Sequence, residues 1–203
     1  MIRMLYVNDL PTEARDKMLY AALQLFTTRG YKNTSVLDIV EYAHVSKTTF
    51  YQQFGNKETL IVALCESLIG EVAEEIKLAA LREPRIGYKA YAGIFRYLEI
   101  CFSNKAVANF ILLESVGVSF EVELVRRKAL KSFADLIFVF AYREFPENVN
   151  EQEVRIISQA MVGAINEVVI QKFREPNHQK TDVEYLARLL NRLVMRSFSS
   201  LSN

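Results

Sequence analysis

Apolar positions recur at helical spacing along nearly the whole chain. Ala14, Met18, Ala21, Ala22, Leu25 and Phe26 stand at i, i+4, i+7, i+8, i+11 and i+12, one face of a helix. The pattern predicts that this helix opens at Pro11-Thr12, after an irregular arm over residues 1–10, and stops at Gly30 as a left-handed C-cap. A short stripe of Leu37, Val40, Tyr42 and Ala43 follows and ends near His44; Phe50, Tyr51 and Phe54 then return at helical spacing. From Lys57 the period runs through Ile61, Leu64, Leu68, Val72 and Ile76 until Pro84, a helix of roughly 35–40 Å at 1.5 Å per residue.

Beyond Ile86 the apolar content rises. Tyr88, Tyr91, Phe95, Leu98 and Phe102 form an aromatic face, followed by a helical stretch over residues 106–113. Phe120 to Tyr142 reads as one long helix whose second half is apolar on most sides, so it is buried all round or lines a cavity. Pro146 and Asn150 separate it from a helix over Val154–Phe173, and Asp182 caps a last one carrying Leu186, Leu189, Leu190, Leu193 and Val194. The expectation is an all-α chain.

Capping residues sharpen the region from Thr34 to Leu60. Ser35 with Asp38 has capping-box spacing, Ser46 is a second N-cap, and Asn56 is a third with Glu58 in the first turn, at the positive end of the helix dipole. Two short helices joined at Ala43-His44-Val45 form a helix-turn-helix, which sets its second helix in the DNA major groove. That second helix carries Ser46, Lys47, Thr48, Thr49, Tyr51, Gln52 and Gln53, side chains suited to phosphate oxygens and base edges, while Val45, Phe50 and Phe54 face inward.

On those residues the segment resembles the DNA-binding domain of the tetracycline-repressor (TetR) family of bacterial regulators. The resemblance rests on Ala21-Ala22, Leu25-Phe26, Gly30, Thr34, Asp38-Ile39-Val40, Ala43, Val45-Ser46-Lys47, Tyr51, Phe54, Lys57-Glu58 and Leu60, about a quarter of the chain. Two positions depart from it: His44 and Thr48 stand where the family usually or often has Gly. A turn between helices commonly needs positive φ, which His tolerates better than most residues. Thr48 exchanges a close backbone approach for a hydroxyl.

The resemblance implies an N-terminal DNA-binding domain over residues 1–56 and a C-terminal effector-binding and dimerisation domain over 57–203. It implies a homodimer through Val154–Phe173 and Asp182–Ser197, reading double-stranded operator DNA as a repressor released by a small molecule. The expected DNA contacts are Thr34, Ser35, Val36, Ser46, Lys47, Thr48, Thr49, Tyr51, Gln52, Gln53 and Lys57, with Thr34 or Ser35 and Lys57 on phosphate. The effector is expected to be small and hydrophobic, held by Tyr88, Tyr91, Phe95, Phe102, Phe110, Phe133, Ile137 and Phe140, with Glu114 and Asn166 supplying polar contacts. The alternative is a DNA-binding protein of the same fold without an effector, a nucleoid or interaction factor.

Composition bounds these readings. At 203 residues and 51% hydrophobic the chain can bury a large core, and a net charge of +1 argues against a general polyanion binder. Residues 1–57 hold seven Lys and Arg against five Asp and Glu, so the DNA signal is positional. Cys65 and Cys101, without metal spacing or a signal peptide, read as reduced thiols of a cytoplasmic protein, and no run reaches the roughly 18 apolar residues of a membrane span. An enzyme is disfavoured. His44 and His178 belong to no nucleophile or metal motif, no Gly-rich loop cradles phosphate, and Glu74-Glu75 reads as a solvated pair. No catalytic residue, metal ligand or cofactor is expected.

Overall fold

The computed structural model describes residues 3–144, 150–175 and 182–202, and all regular structure among them is helical. In chain order come α1 (Ala14–Arg29), α2 (Val36–Ala43), α3 (Lys47–Phe54), α4 (Lys57–Leu81), α5 (Ile86–Ser103), α6 (Lys105–Asn109), α7 (Phe120–Glu144), α8 (Glu151–Arg174) and α9 (Val183–Ser199). His178 and Pro146 lie outside the described residues.

The caps start the helices where the side chains allow. Ser35 Oγ accepts from the Asp38 N–H at 3.1 Å and the Asp38 carboxylate accepts from the Ser35 N–H at 2.7 Å, closing the capping box of α2. Asn56 accepts from the Thr59 N–H at 2.8 Å before α4, and Asp182 from the Tyr185 N–H at 2.9 Å before α9. Three local expectations change. Helix α1 begins at Ala14, two residues beyond Thr12, with no side-chain cap on Glu13. The N-terminal arm is anchored: Met4–Tyr6 is a 3-10 turn whose Met4 and Leu5 are buried, and both backbone N–H groups donate to the Glu71 carboxylate, at 2.9 and 3.0 Å. Glu75, expected to be solvated, accepts from Arg96 Nε at 2.9 Å and joins α4 to α5.

By packing the chain divides into two compact units, Met1–Glu71 with Asn104–Arg126, and Val72–Ser103 with Arg127–Asn203. This division differs from the expected 56/57 boundary. The first turns of α4 bury Leu60, Ile61, Leu64 and Leu68 completely, so they belong to the core of the first unit. Residues 104–126 join the same unit, where Phe110 stacks on Phe26 with ring centroids 6.0 Å apart. That segment is also irregular: after α6 the chain widens into a π-helical turn, Phe110–Glu114. Arg126 donates to the carbonyl oxygen of Ile111 in this turn and, at 3.2 Å, to Ser115 Oγ. In the second unit, α5 packs along α9, which in turn packs on α8.

Candidate nucleic-acid interface and apolar cavity

Between α2 and α3 the turn is made by His44, at φ 52° and ψ 47°, the left-handed conformation its sequence position demands. Its N–H donates to the Glu41 carbonyl at 3.2 Å, and that of Val45 to Val40 at 3.0 Å, so the turn folds back on the last turn of α2. Ser46 then caps α3: its Oγ accepts from the Thr49 N–H at 3.0 Å and shares a hydrogen bond with Thr49 Oγ1 at 2.8 Å. Phe50 and Phe54 are buried, and the Arg15 guanidinium lies over the Phe54 ring, 4.7 Å from its centroid. The inner face of α3 is therefore locked. Its outer face leaves Lys47, Thr48, Tyr51, Gln52 and Gln53 exposed, and no side chain among the described residues pairs with Lys47, Thr48, Gln52 or Gln53. These are the groups a groove would meet.

Two of the expected contacts are engaged elsewhere. Thr34 is buried and its hydroxyl donates to the Gly30 carbonyl at 2.9 Å, while the neighbouring Ser35 is exposed and Val36 half-buried. Lys57 is half-buried; its ammonium donates to the carbonyls of Thr34 and Tyr31, at 2.7 and 2.9 Å, and sits 4.1 Å from the Tyr31 ring centroid. Desolvation lowers its pKa, partly offset by the Asp38 carboxylate. Lys57 braces α4 against the loop before α2, so two of its three donors are engaged within the protein where a phosphate contact was expected. Spacing alone placed it at a helix start and could not reveal the two carbonyls that fold back onto it.

The second unit contains a cavity of about 110 Å³ walled by α4, α5, α7, α8 and α9. A water needs some 10–15 Å³ on this scale, so the space exceeds any single solvent molecule. Of the ten residues expected at an effector, Phe133, Ile137, Phe140 and Asn166 line it. The other six lie elsewhere. Tyr88 is 56% exposed, Tyr91 and Phe95 stack on each other at 5.9 Å, and Phe102 meets Phe173 edge-on at 5.5 Å. Phe110 belongs to the first unit, and exposed Glu114 accepts from Asn109 Nδ2 at 2.6 Å. What α5 turns to the cavity is the face beside its aromatic stripe: Lys89, Ala90, Gly93, Ile94 and Tyr97. Small residues leave the space that large ones would fill. The signal was Ala90 and Gly93 within one turn of a helix otherwise rich in bulky residues. A Cβ added to Gly93 would stand 3.5 Å from Ile76 Cγ2, an ordinary van der Waals contact, so the packing of α4 on α5 does not itself demand glycine here.

The end helices leave apolar side chains uncovered. Ile156 on α8 is 57% exposed, and on α9 Tyr185, Leu189 and Leu193 follow one another at i, i+4 and i+8, all exposed. Among the described residues no helix is long and apolar enough to cross a membrane, and none of His, Cys, Asp and Glu gather in groups of three that could hold a metal ion.

Comparison with known proteins bears on the same two regions. The family model of bacterial regulatory proteins, tetR family, matches residues 18–64, the span that builds the turn and its supports. The chain is 33% identical over 91 residues to the HTH-type transcriptional repressor ComR of Escherichia coli, a match covering 45% of this chain and 43% of that protein. It is 43% identical over 54 residues, 27% of this chain, to the HTH-type regulator YvkB of Bacillus subtilis, covering 28% of it. These matches thus span less than half the length of either relative. By fold the likeness runs further. The FadR regulator of Bacillus subtilis, solved with stearoyl-CoA, superposes with a TM-score of 0.76 at 21% identity, covering 89% of this chain and 97% of its own. FadR of Bacillus halodurans gives the same score and identity over 92% of this chain. With the capped turn and the locked inner face of α3 beside these matches, residues 18–64 carry the DNA-binding segment described by the tetR family model, on a chain whose overall fold is that of these regulators.

Proposed function

We propose that the protein is a DNA-binding transcriptional regulator, a repressor that reads a two-fold operator as a homodimer and lets go when a small apolar ligand binds. The observation that carries this reading is α3, whose outer face presents Lys47, Thr48, Tyr51, Gln52 and Gln53 on a helix held rigid by its cap and by buried Phe50 and Phe54. Lys47, Thr48 and Gln52 read base edges, while Ser35, Ser46 and Thr49 at the two helix starts serve phosphate oxygens. By role, residues 1–56 are the reader and 57–203 the sensor and dimerisation region, with α4 carrying residues of both. The uncovered Ile156, Leu189 and Leu193 on α8 and α9 are the seam of a symmetric dimer.

The ligand belongs in the cavity of the second unit, whose wall is almost wholly apolar, and the acyl chain of the stearoyl-CoA bound by FadR is the kind of molecule that suits it. Release follows if the ligand binds the non-reading conformation better, by the linkage that couples any two sites. The protein acts in the cytoplasm, where the DNA is, and has no catalytic role. Selection of bound sequences from random duplexes tests the reader. A pseudo-palindrome with half-sites about one helical turn, roughly 34–36 Å, apart is the expected result. Selected sites without two-fold symmetry would remove the dimeric reader. An apolar ligand that stabilises the fold yet leaves operator affinity unchanged would favour a DNA-binding factor without an effector.

A further inference from the structure

The cavity wall carries three polar side chains, Lys89, Tyr97 and Asn166, among fifteen apolar residues and backbone. Two of them form a directed chain. Tyr97 donates its hydroxyl proton to Asn166 Oδ1 at 2.6 Å. The amide of Asn166 therefore turns its oxygen to Tyr97, and its NH2 group has no protein partner among the described residues. A neutral donor is thus held in place on an apolar wall.

We propose that Asn166 is the polar anchor of the cavity's ligand, donating its amide NH2 to a carbonyl oxygen borne on an apolar chain. This rests on the ligand-binding reading above and narrows it, from any hydrophobic molecule to a ketone, ester or thioester of a fatty chain. A pure hydrocarbon leaves the amide unpaired when it expels water, and a site built around a hydrogen bond discriminates strongly against a ligand that cannot make it. Tyr97 acts as a positioning residue: it aims the amide and takes no part in the contact itself. Lys89 stands apart from this pair, its ammonium 5.4 Å from the Phe140 ring centroid, and marks where a carboxylate would be held instead.

The test uses the full chain and three probes: 2-nonanone, n-nonane and octanoate, with the first two supplied through the vapour at equal fractions of saturation so that their hydrophobic driving forces match. Dissociation constants are read from thermal shifts for the wild type, Asn166→Leu, Tyr97→Phe and Lys89→Met. The expected result is that the ketone loses about tenfold in affinity in Asn166→Leu, and less in Tyr97→Phe, while nonane holds or gains. Should Asn166→Leu fail to fold, the ketone-only loss in Tyr97→Phe carries the same meaning. Equal losses for ketone and hydrocarbon, or none for the ketone, would overturn the anchor while leaving the cavity a ligand site. Octanoate bound alone, lost in Lys89→Met and kept in Asn166→Leu, would overturn it in favour of a carboxylate. Binding of none of the three by the wild type would sink the ligand reading of the cavity itself.

Discussion

Lys57 Nζ lies 2.7 Å from the carbonyl oxygen of Thr34 and donates to it, tying the first turn of α4 to the residue that precedes the cap of α2. A second bond, to Tyr31, makes the ammonium a brace between two elements of the reader. Lys57→Met keeps the stem and removes both charged hydrogen bonds, which at half-buried sites are worth about 1.5–3 kcal/mol each before the lost desolvation cost is returned. The expected outcome is a fall in stability by denaturant unfolding, with the salt slope of DNA binding unchanged. A slope reduced by about 1 would show that Lys57 also meets a phosphate.

Asp38 makes the reader's first helix sensitive to acid. Hydrogen bonds from the Ser35 side chain and backbone hold its pKa below the ordinary 3.8, with Arg29 a lesser contributor. A carboxylate with a depressed folded pKa stabilises the fold above its unfolded value, and that contribution is lost as pH falls through the folded value. The wild type is therefore expected to be more stable than Asp38→Asn at pH 6, the difference closing below pH 3.8. Urea midpoints across this range measure it, and parallel curves would contradict the linkage.

His44 holds a left-handed conformation without being glycine. Non-glycine residues pay roughly 1–2 kcal/mol there, against up to about 1 kcal/mol for glycine's greater freedom in the unfolded chain. His44→Gly should thus raise stability by about 0.5–1 kcal/mol in chemical denaturation. A loss would mean that the imidazole makes a compensating contact.

The exposed leucines of α9 offer a test of assembly. Leu189→Arg places a charge on the proposed seam, where desolvation without a partner is costly, yet it faces solvent within a single chain. Sedimentation is expected to give monomers of unchanged helicity, with operator binding lost. An intact dimer would put the seam on another face.

Both thiols are pushed up to about 12 by burial, Cys65 in the first unit and Cys101 in the second. The reactive thiolate is then scarce at any pH below that value. At pH 8 a thiol reagent should modify neither in the native protein, and its rate should follow unfolding as denaturant is added. Rapid native labelling would mean that one of the helices opens locally.

The helices themselves were legible because local chemistry starts and stops them. Ser35-Asp38, Ser46, Asn56 and Asp182 carry their caps in their own side chains, His44 tolerates the left-handed turn between α2 and α3, and the spacing of Phe50 and Phe54 declares which face of α3 is inside. The exposed side chains of α3 follow from that face alone, so what the helix presents to solvent could be named residue by residue. Lys57 and Thr34 could not, since their partners are backbone carbonyls brought close only by the fold. The same limit governs the cavity. Periodicity marks Tyr88, Tyr91, Phe95 and Phe102 as one aromatic stripe of α5, but empty space arises where side chains are small, and only packing against α4, α7, α8 and α9 decides which face encloses it. Nor does any pattern join Tyr97 to Asn166, which are 69 positions apart in sequence and 2.6 Å apart in the folded chain. Capping and amphipathic spacing act within one or two turns and survive in the sequence as pattern; long-range contacts depend on the relative rotation of whole helices, which the tertiary structure alone sets.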